Sequence, residues 1–310
     1  MRSKLAKTLK FIFSIFISFF VVSKAFSQLQ SDTTTNSYKK LSKFSVASID
    51  YTAYSKSDFE RNNINGEVRM MEYRAQFQFA FKLKEKKTYL LNKFDYTRFD
   101  AFSNNEQSTK FSETYHSYSF SVGLIQVLKN RWKVIGILSP TLASDFNSST
   151  SIKDFILQSS VIASKRANEN FEYGIGLAHS TRFGRSLTIP LVTYTFIKGN
   201  WEHVGVIPAY VSSYYNFKNF AAGMRLSAFG NVYNSNRNFI SNLDLDKLGY
   251  SRINIGPDIK FCLYKALYAN LNMGVTVRNR LESTNSQGEL EMNLSAKMKY
   301  FMNIGLKILM

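Results

Sequence analysis

Apolar and polar residues alternate through residues 71–82, which read MEYRAQFQFAFK. The apolar positions are Met71, Tyr73, Ala75, Phe77, Phe79 and Phe81, and the polar positions are Glu72, Arg74, Gln76, Gln78 and Lys82. Because successive side chains of a β-strand point to opposite sides, this pattern predicts a strand with one apolar and one polar face.

The same alternation recurs along the rest of the chain. It covers residues 47–53, 117–124, 171–178, 220–228, 252–261, 267–278 and 290–300. Several segments alternate for about ten residues, the length that a tilted strand needs to cross a membrane, whereas strands of a soluble β-sandwich average about five or six. We therefore predict an all-β fold, an antiparallel up-and-down transmembrane β-barrel, rather than a sandwich.

The connections between these segments fall into two classes. Short, basic ones are residues 84–87, 129–131, 198–200, 218–219 and 264–266; longer ones, rich in Asn, Ser and Thr, are residues 103–110, 144–151, 231–249 and 279–288. Short turns at one rim and long loops at the other are typical of membrane barrels. The count is about 14 strands, or 12 if the weak hairpin at residues 207–217 does not form.

An export signal precedes the predicted barrel. Arg2, Lys4, Lys7 and Lys10 are followed by the apolar run 11–22 and then by Ala25-Phe26-Ser27. These are the parts of a cleavable secretory signal, and the run is too short to span a bilayer. We predict a signal at residues 1–27, cleavage near Ser27-Gln28, a polar lead at 28–42 and the barrel at 43–310, located in the outer membrane of a diderm bacterium.

Composition agrees with a membrane barrel. Aromatic residues make up 15% of the chain, with 27 Phe and 18 Tyr, as a lipid-facing belt with aromatic girdles requires. The single Cys262 excludes an internal disulfide framework.

One part of the chain resembles a known family. Arg182-Phe183-Gly184 is followed by Ile189-Pro190-Leu191, then by Trp201, and then by Ile207-Pro208. This order resembles the domain-of-unknown-function family numbered 6268, a Bacteroidota family of outer-membrane barrels. The resemblance implies a barrel and an outer-membrane location, and it implies no activity. The chain ends in Lys307-Ile308-Leu309-Met310, without the terminal aromatic residue by which the barrel-insertion machinery commonly recognises its clients.

The formal net charge of +18 calls for an explanation. In a cytosolic protein it would suggest nucleic acid, but export removes that expectation. Two interpretations of the basic turns stay open: contacts with phosphorylated outer-membrane lipid headgroups, or ordinary solvated turns that block edge pairing. The candidate lumen-lining residues on the polar faces are Glu72, Arg74, Gln76, Lys93, Asp95, Arg225, Asp258, Lys260 and Arg278. Two interpretations stay open: a water-filled lumen that favours anions, or charges that pair and fill the interior.

No catalytic, cofactor or metal site is predicted. His179 and Ser180 are adjacent on a strand and therefore point to opposite faces, so they cannot act as base and nucleophile. Asp244 and Asp246 lack the Gly and terminal Glu of a calcium loop. The predicted function is non-enzymatic, a narrow passive channel or binding barrel for small, anionic solutes. The alternatives are a closed structural or interaction barrel that displays its loops, and, third, a lipid-modifying enzyme.

Overall fold

The computed structural model describes residues 45–61, 64–83, 87–105, 111–235, 246–295 and 298–309. The predicted signal and polar lead lie outside these residues. The strands are β1 Ser45–Tyr54, β2 Ser57–Arg61, β3 Ile64–Leu83, β4 Thr88–Asn105, β5 Phe111–Val127, β6 Trp132–Ser144, β7 Phe155–Arg166, β8 Phe171–Ser180, β9 Leu187–Lys198, β10 Trp201–Ile207, β11 Tyr210–Asn216, β12 Phe220–Asn234, β13 Lys247–Tyr264, β14 Leu267–Thr284, β15 Leu290–Ser295 and β16 Lys299–Leu309. Two 3-10 helical turns occupy Lys129–Arg131 and Ile152–Asp154. In these ranges no helix has the length and hydropathy that a membrane crossing requires.

The strands close into a barrel. Sequence neighbours pair antiparallel from β3 to β14, β14 pairs with β16, and β1 pairs with both β16 and β3. Strand β2 continues the line of β1, and β15 continues that of β16, so the wall has 14 strand positions. The predicted antiparallel barrel and its count of 14 are therefore confirmed. The weak hairpin is present as β10 and β11, which excludes 12.

The outer face of the wall is apolar and exposed. Tyr73 on β3 is 42% exposed and Phe120 on β5 is 48% exposed, whereas Glu72, which points inward beside Tyr73, is 6% exposed. Soluble monomers do not leave an apolar surface of this extent in water. The surface faces lipid, and the closed sheet pairs the backbone groups that lipid cannot satisfy.

Aromatic side chains form a continuous line near the end of the barrel that carries the short turns, here called the short-turn rim. Ring centroids 4.2–6.2 Å apart connect the outer faces of β8 to β13. The members are Tyr173, Phe171, Phe196, His203, Trp201, Tyr215, Phe217, Phe220 and Phe261. Aromatic rings of this kind prefer the interface between hydrocarbon and headgroups.

The wall is not equally tall around the barrel. Strands β3, β4 and β13 have 20, 18 and 18 residues, whereas β10 and β11 have seven each. At the opposite end, here called the long-loop rim, β12 reaches across the low strands to the end of β6, and the two pair in parallel at Asn234 and Ser144. We call β12–β15 and β2–β6 at this level the upper ring, and β7–β11 the short wall.

Candidate functional site

The contact that closes the upper ring is made by polar groups. The Asp145 amide donates to the Asn234 carbonyl at 3.2 Å. The Asn234 side-chain amide donates to Asp154 Oδ1 at 2.7 Å, and the Ser151 amide donates to Asp154 Oδ2 at 2.6 Å. Asp154 ends the 3-10 turn that leads into β7. This seam therefore joins β12 of the upper ring to the first strand of the short wall.

Four aromatic side chains fill the inside of the upper ring. Phe99, Tyr115 and Tyr233 are fully buried, and Tyr250 is 3% exposed. The ring centroids of Phe99 and Tyr250 are 4.3 Å apart, and those of Tyr115 and Tyr233 are 5.2 Å apart. We call these four residues the aromatic plug. The four rings stack against each other inside the barrel wall, between the long-loop rim and the lumen below.

A buried arginine supports the plug from the side. The Arg252 guanidinium carbon lies 3.9 Å from the ring centroid of Tyr54 and 5.0 Å from that of Tyr250. Its Nε donates to Asn279 Oδ1 at 3.3 Å. Cation–π contacts of this kind strengthen when water is excluded, so Arg252 stabilises the stacked rings.

A polar cavity of about 180 Å³ lies in the lumen on the short-turn side of the plug. Glu72, Arg74, Lys93 and Asp95 line one side, and Tyr250 of the plug forms part of its boundary. Arg74 Nε donates to Asp95 Oδ1 at 3.1 Å, and Lys93 Nζ lies 3.1 Å from Asp95 Oδ2. Two cations therefore share one carboxylate. Glu72 accepts the Tyr250 hydroxyl at 2.7 Å.

The next strands around the wall, starting with β5 beside β4, line the cavity with hydroxyl groups. The polar residues of this lining on β5 to β8 are Ser117, Ser119, Ser121, Ser139, Thr141, Gln158 and Ser180. The Ser139 hydroxyl donates to Ser121 Oγ at 2.7 Å, and the Thr141 hydroxyl donates to Ser119 Oγ at 3.0 Å. The polar face of β5 was part of the predicted alternation, but it was not among the candidate site residues. The neighbouring strands that complete this lining could be identified only from the pairing of β5 with β6 and of β6 with β7.

Four further candidate residues lie in the lumen away from this cavity. Arg225 Nη1 is 2.9 Å from Asp258 Oδ2, and its Nη2 donates to Asn272 Oδ1 at 2.8 Å. Lys260 Nζ lies 3.5 Å from the ring centroid of Tyr214. Gln76, which pairs with Asp95, shares the inward side of β3. Arg225, Asp258 and Lys260 are near each other in register on β12 and β13, and none of the four residues lines the cavity.

Arg278 is placed differently from the expectation. A register shift on β14 leaves Thr276 opposite Asn254 and Arg278 opposite Ile253. Asn254 is buried inside, whereas Ile253 belongs to the outward side of β13. Because the extra residue inverts the alternation beyond Thr276, Asn279 takes the inward position beside Arg252, and Arg278 does not line the lumen.

The loop between β8 and β9, residues 181–186, brings Arg182 to the cavity, a position that the sequence did not predict. It crosses above the low β10–β11 hairpin to the edge of β12, where the Thr181 hydroxyl donates to Asn231 Oδ1 at 2.9 Å. Arg182 Nη1 donates to the Ala228 carbonyl at 3.1 Å, and Arg182 lines the cavity. Its motif with Phe183 and Gly184 carried the family resemblance, but nothing in the sequence pointed it toward the lumen.

His179 and Ser180 point to opposite sides of β8, as the strand alternation requires. His179 Nδ1 lies 3.1 Å from Thr188 Oγ1 on the outer side, and the Ser180 hydroxyl donates inward to Gln158 Oε1 at 3.2 Å. Across the described ranges, no group of three or more His, Cys, Asp or Glu side chains could hold a metal ion. Asp244 lies outside the described residues, and Asp246 pairs with Lys153 at 2.8 Å.

Comparison with known sequences gives the family. The sequence matches DUF6268, a domain of unknown function, over residues 23–308. The chain belongs to this family. No curated protein matches this DUF6268 chain.

Solved structures similar to this DUF6268 chain are outer-membrane barrels. The NanC porin is 8% identical with a TM-score of 0.39, and the match covers 84% of this chain and 98% of the porin. The COG4313 outer membrane channel from Pseudomonas putida F1 is 8% identical with a TM-score of 0.40, covering 89% and 99%. A mutant of the TodX monoaromatic hydrocarbon channel is 9% identical with a TM-score of 0.46, covering 90% and 93%. The likeness concerns the fold.

Proposed function

We propose that this DUF6268 protein is an outer-membrane barrel that binds a small polar solute in its lumen and is closed toward the long-loop rim in the conformation described. The observation that carries the proposal is the aromatic plug, which covers a polar cavity of about 180 Å³. The basic and apolar segment at residues 1–27 supports export, and the exposed apolar wall supports a membrane location.

The plug argues against a permanently open pore. Phe99, Tyr115 and Tyr233 are completely inaccessible to solvent, so no water-filled path runs beside them. A general porin keeps a wide aqueous channel at this depth. Passage through this barrel would require these side chains to move.

The cavity argues against a barrel with a purely structural role. An interior that serves only stability fills its space, because voids and unpaired polar groups cost free energy. Here the space is unfilled, and the charged side chains of Arg74, Lys93 and Asp95 surround it. Such convergent polar groups are typical of a ligand site.

Conductance in planar bilayers tests the closure. We expect the native protein to show no sustained steps, and Phe99→Ala/Tyr233→Ala to show discrete steps because the plug is opened. The matched control is Phe94→Ala/Phe120→Ala, which removes two rings from the outer face and should conduct like the native protein. Heat-modifiable gel migration establishes that each variant is folded.

Sustained conductance of the native protein would overturn the closed barrel. So would a folded plug variant that conducts no better than its control. If the double variant does not fold, Tyr233→Ala alone removes one ring, leaves Phe99 in place and provides the same comparison.

A further inference from the structure

The β8–β9 loop places a cation at the cavity without a carboxylate partner. Within the part of the chain that the structure describes, Arg182 makes no ion pair, and its guanidinium donates to the Ala228 carbonyl. Burial lowers the pKa of Arg182, the positive charge of Arg74 lowers it further, and Asp95 and Glu72 act in the opposite direction without reversing the shift. The two lowering effects show that the cation is held where water screens it poorly and where a like charge is close.

The charges that line the cavity do not balance. Among the described residues that line the cavity, Arg74, Lys93 and Arg182 are basic and Glu72 and Asp95 are acidic, which leaves one positive charge in excess within this lining. Asp95 is already shared by Arg74 and Lys93. Glu72 accepts the hydroxyl of Tyr250. An anion entering the cavity would therefore find Arg182 as its free partner.

The strands next to β4 supply neutral hydrogen-bonding groups. The hydroxyls of Ser117, Ser119, Ser121, Ser139 and Thr141 line the cavity. A hydroxyl both donates and accepts, so this row can bind ligand hydroxyls in either direction. It offers no charge and no apolar surface to a ligand.

The volume limits the size of the ligand. A cavity of about 150 Å³ holds one benzene molecule, so a cavity slightly larger accepts about six to ten non-hydrogen atoms. That size corresponds to a molecule of three or four carbon atoms with its oxygen substituents. A disaccharide or a peptide would extend beyond this cavity.

We propose that the cavity takes a small carboxylate that carries hydroxyl groups, with the carboxylate on Arg182 and the hydroxyls on the Ser/Thr row of β5 and β6. This inference rests on the proposed function, since it specifies the ligand of the same cavity. A guanidinium binds a carboxylate through charge-assisted hydrogen bonds, which are the strongest available in this lining.

Isothermal titration of the folded protein in detergent, with three probes of similar size, tests the assignment. Glycerate has both a carboxylate and hydroxyls, propionate has only the carboxylate, and glycerol has only hydroxyls. We expect affinity in that order. Arg182→Gln should weaken glycerate about 10- to 100-fold, the equivalent of one charge-assisted hydrogen bond, and leave glycerol unchanged. Arg131→Gln, in an exposed turn at the short-turn rim, is the control and should bind like the native protein.

Two results would overturn the inference. The first is equal affinity for glycerate and glycerol, with Arg182→Gln changing neither, which would leave a cavity that binds without regard to charge. The second is the absence of heat from all three probes. The conductance experiment separately decides whether the barrel is closed by its plug, so failure of the ligand class and failure of the proposed function are distinguishable.

Discussion

The upper ring and the short wall use the same outer surface for different interiors. Both alternate apolar residues toward lipid, as Phe120 of the upper ring and Ile175 of the short wall illustrate with exposures of 48% and 69%. Inside, the upper ring buries aromatic rings, whereas β8 of the short wall presents Gly174, Gly176 and Ala178. Lipid outside the barrel requires an apolar side chain at every second position of the wall. The alternate positions, which point inward, can differ between the two regions.

The largest expected effect concerns a buried charge pair on β12 and β13, the tall strands that continue into the upper ring, in comparison with a pair on the short wall. Arg225→Met removes the partner of Asp258, whose side chain is fully buried, and should lower the free energy of unfolding by about 3–5 kcal/mol. Lys133→Met removes the partner of Glu172 on the short wall. That pair is partly exposed, and Glu172 keeps the Ser164 hydroxyl, so the loss should be about 0–1 kcal/mol. Urea unfolding of the refolded proteins in lipid vesicles measures both values.

A further variant sharpens this result. Arg225→Met/Asp258→Leu removes both charges and should recover most of the stability that Arg225→Met loses, because neither member of the pair is left buried without the other. Equal losses in Arg225→Met and Lys133→Met would show that the two pairs do not differ in the way their charges are buried.

An intermediate effect is expected at the seam that joins the two regions. Burial by itself would raise the pKa of the Asp154 carboxyl, but hydrogen bonds from Ser151, Ser144 and Asn234 outweigh burial and hold this pKa below its usual value. Asp154→Asn should cost about 1–3 kcal/mol. Since the folded-state pKa is lowered, this contribution is fully present above the unfolded-state pKa and is lost as the pH falls through the folded-state value.

The measurement compares the native protein with Asp154→Asn in urea at several pH values. The difference should be constant from pH 7 to about pH 5 and shrink below about pH 4. Asp246→Asn, which removes a partly exposed partner of Lys153, is the control and should change little. A difference that grows as the pH falls would contradict the role of the ionised Asp154.

The smallest effect is expected where the β8–β9 loop lies on the upper ring. A Cβ on Gly249 would lie 2.2 Å from the Gly184 carbonyl oxygen, so Gly249→Ala must displace the loop, at a cost of about 1–2 kcal/mol. The displaced loop should be cut faster by trypsin at Arg182 and Arg185. Gly136→Ala is the control, because no atom lies within 4 Å of its added Cβ. Equal cleavage of the two variants would show that the loop is not held by this contact.

The outer half of the structure could be predicted from the sequence because lipid imposes one rule on every strand. The strand from Met71 to Phe81 has the predicted faces, and the count of 14 follows from the turns. The interior follows no such rule. Arg278 was assigned to the lumen because every second residue of a regular strand points inward. One inserted residue on β14 reverses which residues point inward, and a bulge of this kind leaves no reliable signal in a single sequence.

The site was predictable only in part, for a related reason. Glu72, Arg74, Lys93 and Asp95 lie on two adjacent strands, so their alternation was enough to place them together. Tyr250 and Arg182 reach the same cavity through contacts across the barrel. Those contacts depend on the heights of the strands and on the path of the β8–β9 loop. The alternation of apolar and polar residues predicts neither of these.

The difference in strand height also creates an unpaired sheet edge. Above Ser227, which pairs with Tyr210 at the start of β11, strand β12 continues for residues 228–234 without a strand on that side until it meets β6. A bare edge of this length is a template for adding a foreign strand. Arg182 occupies the Ala228 carbonyl, and the Asp145 amide occupies that of Asn234. The loop that places Arg182 at the cavity thus also occupies part of the edge at which a foreign strand could pair.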